Sequence, residues 1–174
     1  MKRVLLTGGN GFIAKEIYSE FANSKKYEFI STNRSTLDVS NRQQVDNFFS
    51  DNHIDCVVHT AINGGKRLDK DDISAFFENI LMFQNLAAHS DKFEIMINFG
   101  SGAEFDRAST IDALPEDELF NRLPADYYGL VKNLIARNIS DNYENIVNFR
   151  LFGCFGSHEE PQRLINSCYN KLTS

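Results

Sequence analysis

Val4-Leu5-Leu6-Thr7-Gly8-Gly9-Asn10-Gly11-Phe12-Ile13-Ala14 joins an apolar run to a glycine-rich turn and then to apolar residues at helical spacing. The flanks give the turn its meaning. After a strand and before a helix, Gly8 permits a tight turn and Gly11 lets the backbone approach a pyrophosphate. Ala14 takes the slot where helix and strand pack closely. The helix N-terminus then offers free amides and the positive end of its dipole to phosphates. An Asn10-Gly11 hairpin turn is the competing reading. The helical pattern through Phe12, Ile13, Ile17, Tyr18 and Phe21 argues against it.

Outward from this turn, short apolar runs alternate with longer segments of helical period. Strands are expected at 4–7, 27–31, 56–59, 94–99 and 146–151, with a further short one near Leu37-Asp38-Val39. Helices are expected after the turn, around Val45, Phe48 and Phe49, over 73–89, and over 128–139. This alternation predicts an α/β fold, a doubly wound parallel sheet of the Rossmann type with helices on both faces. The near-continuous apolar strands suit a sheet covered on both sides. The irregular connection over 100–125 is long enough to carry function or wrap a ligand.

With 42% hydrophobic and 24% charged residues, the chain of 174 is expected to be one globular domain of ordinary size. A net charge of −6 argues against a general nucleic-acid binder, which needs surplus Lys and Arg. The apolar N-terminal run is too short for a membrane span, and the glycines interrupt it before it could serve as a signal peptide core. Cys56, Cys154 and Cys168 have no metal or disulfide spacing. Two of them lie in apolar segments where a buried, inert thiol is expected, and a cytoplasmic location follows. No metal site is expected. The four histidines lack ligand spacing, and His59 reads as a core or sheet-end residue.

Tyr128 and Lys132 stand four residues apart at the start of a predicted helix, on one face of it. A phenol titrates near pH 10, and a neighbouring cation favours its phenolate, bringing proton exchange toward neutral pH. Tyr127 cannot do this, because Val131 stands four residues on.

The glycine turn resembles the TGxxGxxG fingerprint of the short-chain dehydrogenase/reductase superfamily. Leu37-Asp38-Val39 followed by Asn41 resembles the family segment whose acid and apolar residue contact adenine. Val57-Val58-His59-Thr60-Ala61 resembles the VIHLAA strand end of the extended subfamily, beside the adenosine, and Asn79 matches an asparagine often found in the long helix. The resemblance runs from Lys2 to about Gly156. It implies a bound dinucleotide contacted by Gly8, Gly11, Phe12, Ile13, Asp38, Val39, Thr60 and Ala61, with Tyr128 and Lys132 reaching its nicotinamide end. An acid at the end of the second strand would grip the ribose of NAD. Ser31-Thr32-Asn33-Arg34-Ser35 has no acid and one Arg, which favours NADP, with NAD as the alternative. Arg34 as a merely solvated loop residue stays open.

The segment Phe99-Gly100-Ser101-Gly102-Ala103-Glu104-Phe105 resembles the family's FxSSxxVYG and puts Ser101 in the catalytic slot, where its hydroxyl would hold the substrate oxygen. A serine capping the following turn is the alternative. Glu104 has no family counterpart and reads as a solvated loop acid in preference to a substrate contact. Residues 148–156 resemble the LRxFNVYGP segment of nucleotide-sugar enzymes, and Leu37 to Phe49 with Ile62 to Gly65 look most like the GDP-fucose synthase branch. Ala103 stands where that branch has a cysteine acid/base, which puts its epimerisation in doubt but not hydride transfer.

The resemblance thus implies a dinucleotide domain over 1–156 and a short segment over 157–174, the start of a truncated or absent substrate domain. It implies an NADP-dependent oxidoreductase or epimerase-type enzyme acting on a nucleoside-diphosphate sugar. A homodimer through the long helix and the helix bearing Tyr128 and Lys132 is also implied, with Phe76, Phe77, Leu81 and Phe83 of the long helix placed on more than one face. The rival is a reduced fold that binds a dinucleotide or a partner without turnover.

Overall fold

The computed structural model describes residues 1–65, 72–106 and 114–173. Five strands form one parallel sheet: β1 (Lys2–Thr7), β2 (Tyr27–Ser31), β3 (Cys56–His59), β4 (Ile95–Ser101) and β5 (Ile146–Leu151), in the order β2-β1-β3-β4-β5. Among the described residues five α-helices accompany them: α1 (Phe12–Phe21), α2 (Arg42–Asp51), α3 (Ile73–Ala87), α4 (Tyr127–Asn142) and α5 (Leu164–Thr173). The order reverses between β1 and β3, so the chain leaves the centre of the sheet in both directions from that point. In open sheets of this kind, ligands bind outside the strand ends at such a switch.

Two cores lie on opposite faces. One packs Leu5, Val57, Met96 and Ile146 of the sheet against Val45 and Phe49 of α2, Phe83 and Leu86 of α3, and Val131 and Ile135 of α4. The other packs Val4, Leu6 and Val58 against Ala14 and Ile17 of α1. Tyr18 and Phe21 sit at the rim of α1, edge-on to Phe29 and Tyr27 of β2. On the second face α1 packs into the core, and Val147 and Phe149 of β5 lie exposed. Helix starts follow local chemistry. Asn41 accepts from the Gln44 amide, Asp72 from Ala75 and Asp126 from Gly129, and each such cap contributes about 1 kcal/mol.

The third strand expected near Leu37-Asp38-Val39 is not there; the segment is a run of turns. Asn33 accepts from the Ser35 amide, and Asp38 accepts from both the amide and the hydroxyl of Ser40. These side chains take backbone donors that a strand would have needed. The carbonyls of Val39 and Ser40 accept instead from Asn85 of α3 at 3.0 and 2.9 Å. Leu37 and Val39 still enter the core, which is why their pattern looked strand-like.

Of the cysteines, Cys56 is half-buried and burial pushes its thiol up to about 11. Cys154 is exposed, against the expectation of a second buried thiol, because it follows β5 into an open loop. No described helix is long and apolar enough to cross a membrane.

Candidate active site at the sheet switch point

A cleft of about 280 Å³ opens beyond the ends of β1 and β3. Gly8 and Gly11 line it from the glycine turn, Arg34, Asp38 and Val39 from the turns after β2, and Thr60 and Ala61 from the end of β3. Those seven were all expected from the sequence. Asn10, Asn33, Ile62 and Met82 complete the lining with Leu37 and were not singled out for it. Asn33 and Ile62 are direct chain neighbours of Arg34 and Ala61, a signal that could have found them. Phe12 and Ile13 stand in the first turn of α1, outside this lining.

The floor of the cleft is built tightly. Thr60 donates its hydroxyl to the Thr7 carbonyl at 2.7 Å, and the Thr7 and His59 side chains meet at 2.8 Å. Gly8 has φ +70°, and a Cβ there would lie 2.7 Å from the Ala61 nitrogen, so only glycine lets β1 and β3 turn away together. Gly11 is the N-cap of α1 and no side chain caps the helix among the described residues, so its first amides face outward. Among the described lining residues Arg34 is the one cation, and it pairs with Glu78 of α3. Asn79, buried one position on, holds the loop after β3 by accepting from the Asn63 amide at 2.9 Å and donating to its carbonyl at 2.8 Å.

A second group of polar residues gathers where β4 ends against α4. Tyr128 and Lys132 stand on α4 as expected, and Tyr128 is half-buried with its ring against Gly65. Its surroundings include Asn63, Asn79 and Val131, a small space separate from the main cleft. Lys132 is buried and its ammonium donates to the Phe99 carbonyl at 2.6 Å. Burial pushes its pKa down to about 8, and the negative charge of Glu104 works against that fall. Ser101 closes β4, and its hydroxyl accepts from the Ala103 amide at 3.1 Å. A Cβ on Gly129 would lie 2.5 Å from the Ala103 carbonyl oxygen, so the first turn of α4 is seated directly on the turn that follows Ser101.

Glu104 is not the solvated acid expected from the sequence. It is 0% exposed. Its carboxylate accepts from the Ser101 amide at 2.9 Å, from Asn148 at 3.1 Å and from Arg150 at 2.7 Å. The capping pattern over Ser101 to Glu104 was readable locally, but Asn148 and Arg150 come from β5, where no local signal points back to residue 104. No group of three His, Cys, Asp or Glu among the described residues could hold a metal ion.

A family model described as the NAD dependent epimerase/dehydratase family matches residues 4–174. GDP-L-colitose synthase of Yersinia pseudotuberculosis is 26% identical over 174 aligned positions that cover 91% of this chain and 56% of that protein. The chain therefore spans little more than half the length of that relative. Among solved structures, a GDP-L-fucose synthetase from Naegleria fowleri bound to NADP matches at a TM-score of 0.78 with 16% identity, covering 99% of this chain and 63% of that one. A GDP-mannoheptose C4 reductase from Campylobacter jejuni with NADP bound matches at 0.77 with 20% identity, covering 89% and 52%. At such identities the structural likeness is one of fold. The switch-point cleft, the glycine turn and the family match over nearly the whole chain lead to one conclusion: this chain belongs to the NAD dependent epimerase/dehydratase family.

Proposed function

We propose that this chain is the dinucleotide-binding part of an NADP-dependent oxidoreductase or epimerase-type enzyme acting on a nucleoside-diphosphate sugar. The observation that carries the reading is the placement of Tyr128 and a buried Lys132 on one face of α4, packed against the strand end that delivers Ser101.

The residues fit a dinucleotide. Gly8 and Gly11 bring bare backbone to the mouth of α1, whose amides suit a pyrophosphate. Arg34 supplies the cation that a ribose 2′-phosphate needs, and Asp38, Val39, Thr60 and Ala61 line an adenosine-sized cleft. When bound, a nicotinamide supplies or accepts the hydride of such a reaction. Tyr128 would exchange the proton at the sugar oxygen, and the Lys132 charge would favour its phenolate. Ser101 still has its hydroxyl hydrogen to donate to that same oxygen, because the Ala103 amide occupies only an acceptor position.

The division into a dinucleotide domain over 1–156 and a start of a substrate region over 157–174 belongs to this reading. So does a cytoplasmic location, supported by three free cysteines. A homodimer through α3 is supported by Ile73, Phe77 and Leu81, which are exposed at four-residue spacing along one side of that helix. A second reading, dinucleotide binding without turnover, draws on Lys132 and Ser101 both being engaged by the fold itself.

Calorimetric titration with NADPH and NADH, then NADPH oxidation with keto-sugar nucleotides, tests the proposal. Tight NADPH binding is expected, with turnover lost in Tyr128→Phe. Turnover unchanged in that variant removes Tyr128 from its role, and binding without any turnover favours the second reading.

A further inference from the structure

The Glu104 carboxylate is the most deeply buried charge beside the proposed acid/base site, and that proposal gives it no task. Its backbone carbonyl accepts from Asn133 of α4 at 2.9 Å. Its side chain reaches the Ser101 amide at the end of β4, and Asn148 and Arg150 on β5. One residue thus ties together β4, β5 and α4 at the place where Ser101 and Lys132 are held. A buried carboxylate is costly, and its bonds to β5 go beyond what capping a turn requires.

We infer that Glu104 is a positioning residue: its one carboxylate fixes the Ser101 turn and serves as the counter-charge that keeps the buried Lys132 ammonium protonated. The inference rests on the role proposed for Ser101, Tyr128 and Lys132. Among the described residues, the following charges face this site. Arg150 lies against Glu104 and also pairs with the exposed Glu116 at 2.6 Å, while Lys132 comes from α4 and the His59 ring from β3. Lys132 holds the Phe99 carbonyl and Glu104 the Ser101 amide, two residues apart on β4, so the ammonium and the carboxylate meet at one strand end. With Glu104 made neutral, the Lys132 ammonium loses its nearby negative charge and gives up its proton more readily.

The experiment is an NMR titration of the Lys132 side chain in the ligand-free chain, assigned by comparison with Lys132→Arg. Because no cofactor or substrate is present, its outcome is independent of whether the chain binds NADPH or turns over. In Glu104→Gln the Lys132 midpoint should fall by at least roughly half a pH unit. A purely structural role predicts the reverse, since a loosened site admits water and lets the midpoint rise toward that of a free lysine. An unchanged or raised midpoint overturns the inference.

Where Glu104→Gln alone does not fold, the swap Glu104→Gln with Asn148→Asp is the test. The new carboxylate on β5 can still accept from Asn98, as Asn148 does at 2.7 Å, and it returns a negative charge to the same place. The swapped chain should fold with a Lys132 midpoint close to wild type. A fall by roughly half a pH unit or more there shows that a carboxylate at this place does not support the ammonium, and also overturns the inference.

Discussion

Thr7 Oγ1 and His59 Nδ1 lie 2.8 Å apart where the two central strands end, and both residues are buried. The contact joins the strands at the point where the sheet reverses its order, so the floor of the cleft depends on an imidazole that stays neutral.

Acid should therefore weaken the fold through His59. Burial, with the Lys132 ammonium adding to it, pushes its pKa from 6.5 down to about 3. Between those values the unfolded chain binds a proton that the folded chain refuses. The contribution is whole above about 6.5 and is lost as pH falls toward 3. In urea unfolding between pH 7 and pH 4, wild type should lose more stability than His59→Asn, whose side chain cannot take up that proton. Parallel losses in the two chains would refute the assignment.

Lys132 follows the same sign at higher pH. Its pKa in the fold is depressed from 10.5 to about 8, so at neutral pH the folded state holds a charge that burial disfavours. The stability is full above about 10.5 and is reduced once pH has fallen through 8. Lys132→Met should raise unfolding stability at pH 7 by about 1–2 kcal/mol, after the lost bond to Phe99 is counted. Turnover should fall at least roughly a hundredfold. A variant less stable than wild type would contradict the burial cost.

Cofactor choice should turn on Arg34 and its partner Glu78. Arg34→Ala should weaken NADPH binding roughly ten- to a hundredfold, the worth of a charge-assisted contact, and leave NADH binding nearly unchanged. Glu78→Gln should free Arg34 and strengthen NADPH binding by a few-fold. Equal effects of Arg34→Ala on the two dinucleotides, measured by calorimetry, would remove the residue from the phosphate site.

The exposed stripe on α3 gives a test of assembly. Phe77 is 58% exposed and Leu81 47%. Replacing both by Glu should convert a dimer to a monomer by light scattering at micromolar concentration, with the far-ultraviolet dichroism unchanged. A wild-type chain that is already monomeric would end the dimer reading.

The sheet was legible because its strands write themselves as short apolar runs, and β1 to β5 all lie within a residue or two of where the pattern puts them. The seven cleft residues were legible for a different reason, since glycine at a turn and polar residues at strand ends carry their chemistry in the local sequence. What escaped was set by distant partners. Leu37 and Val39 alternate like a strand, yet Asn85, far along the chain, takes the carbonyl that a neighbouring strand would have used. Glu104 looked solvated because Asn148 and Arg150, which bury it, lie 44 and 46 residues away. Arg34 showed its charge but not Glu78, which meets it only once α3 is docked.

The uneven roofing of the sheet has a thermodynamic consequence. Phe149 is 50% exposed in the folded chain, and Val147 is exposed beside it. Surface already wet before unfolding adds nothing to the hydration change on unfolding. The heat-capacity increment and the urea m-value of this chain should therefore fall below those of an equally long domain with both faces covered. The stability curve should be correspondingly shallow, changing little between cold and warm conditions.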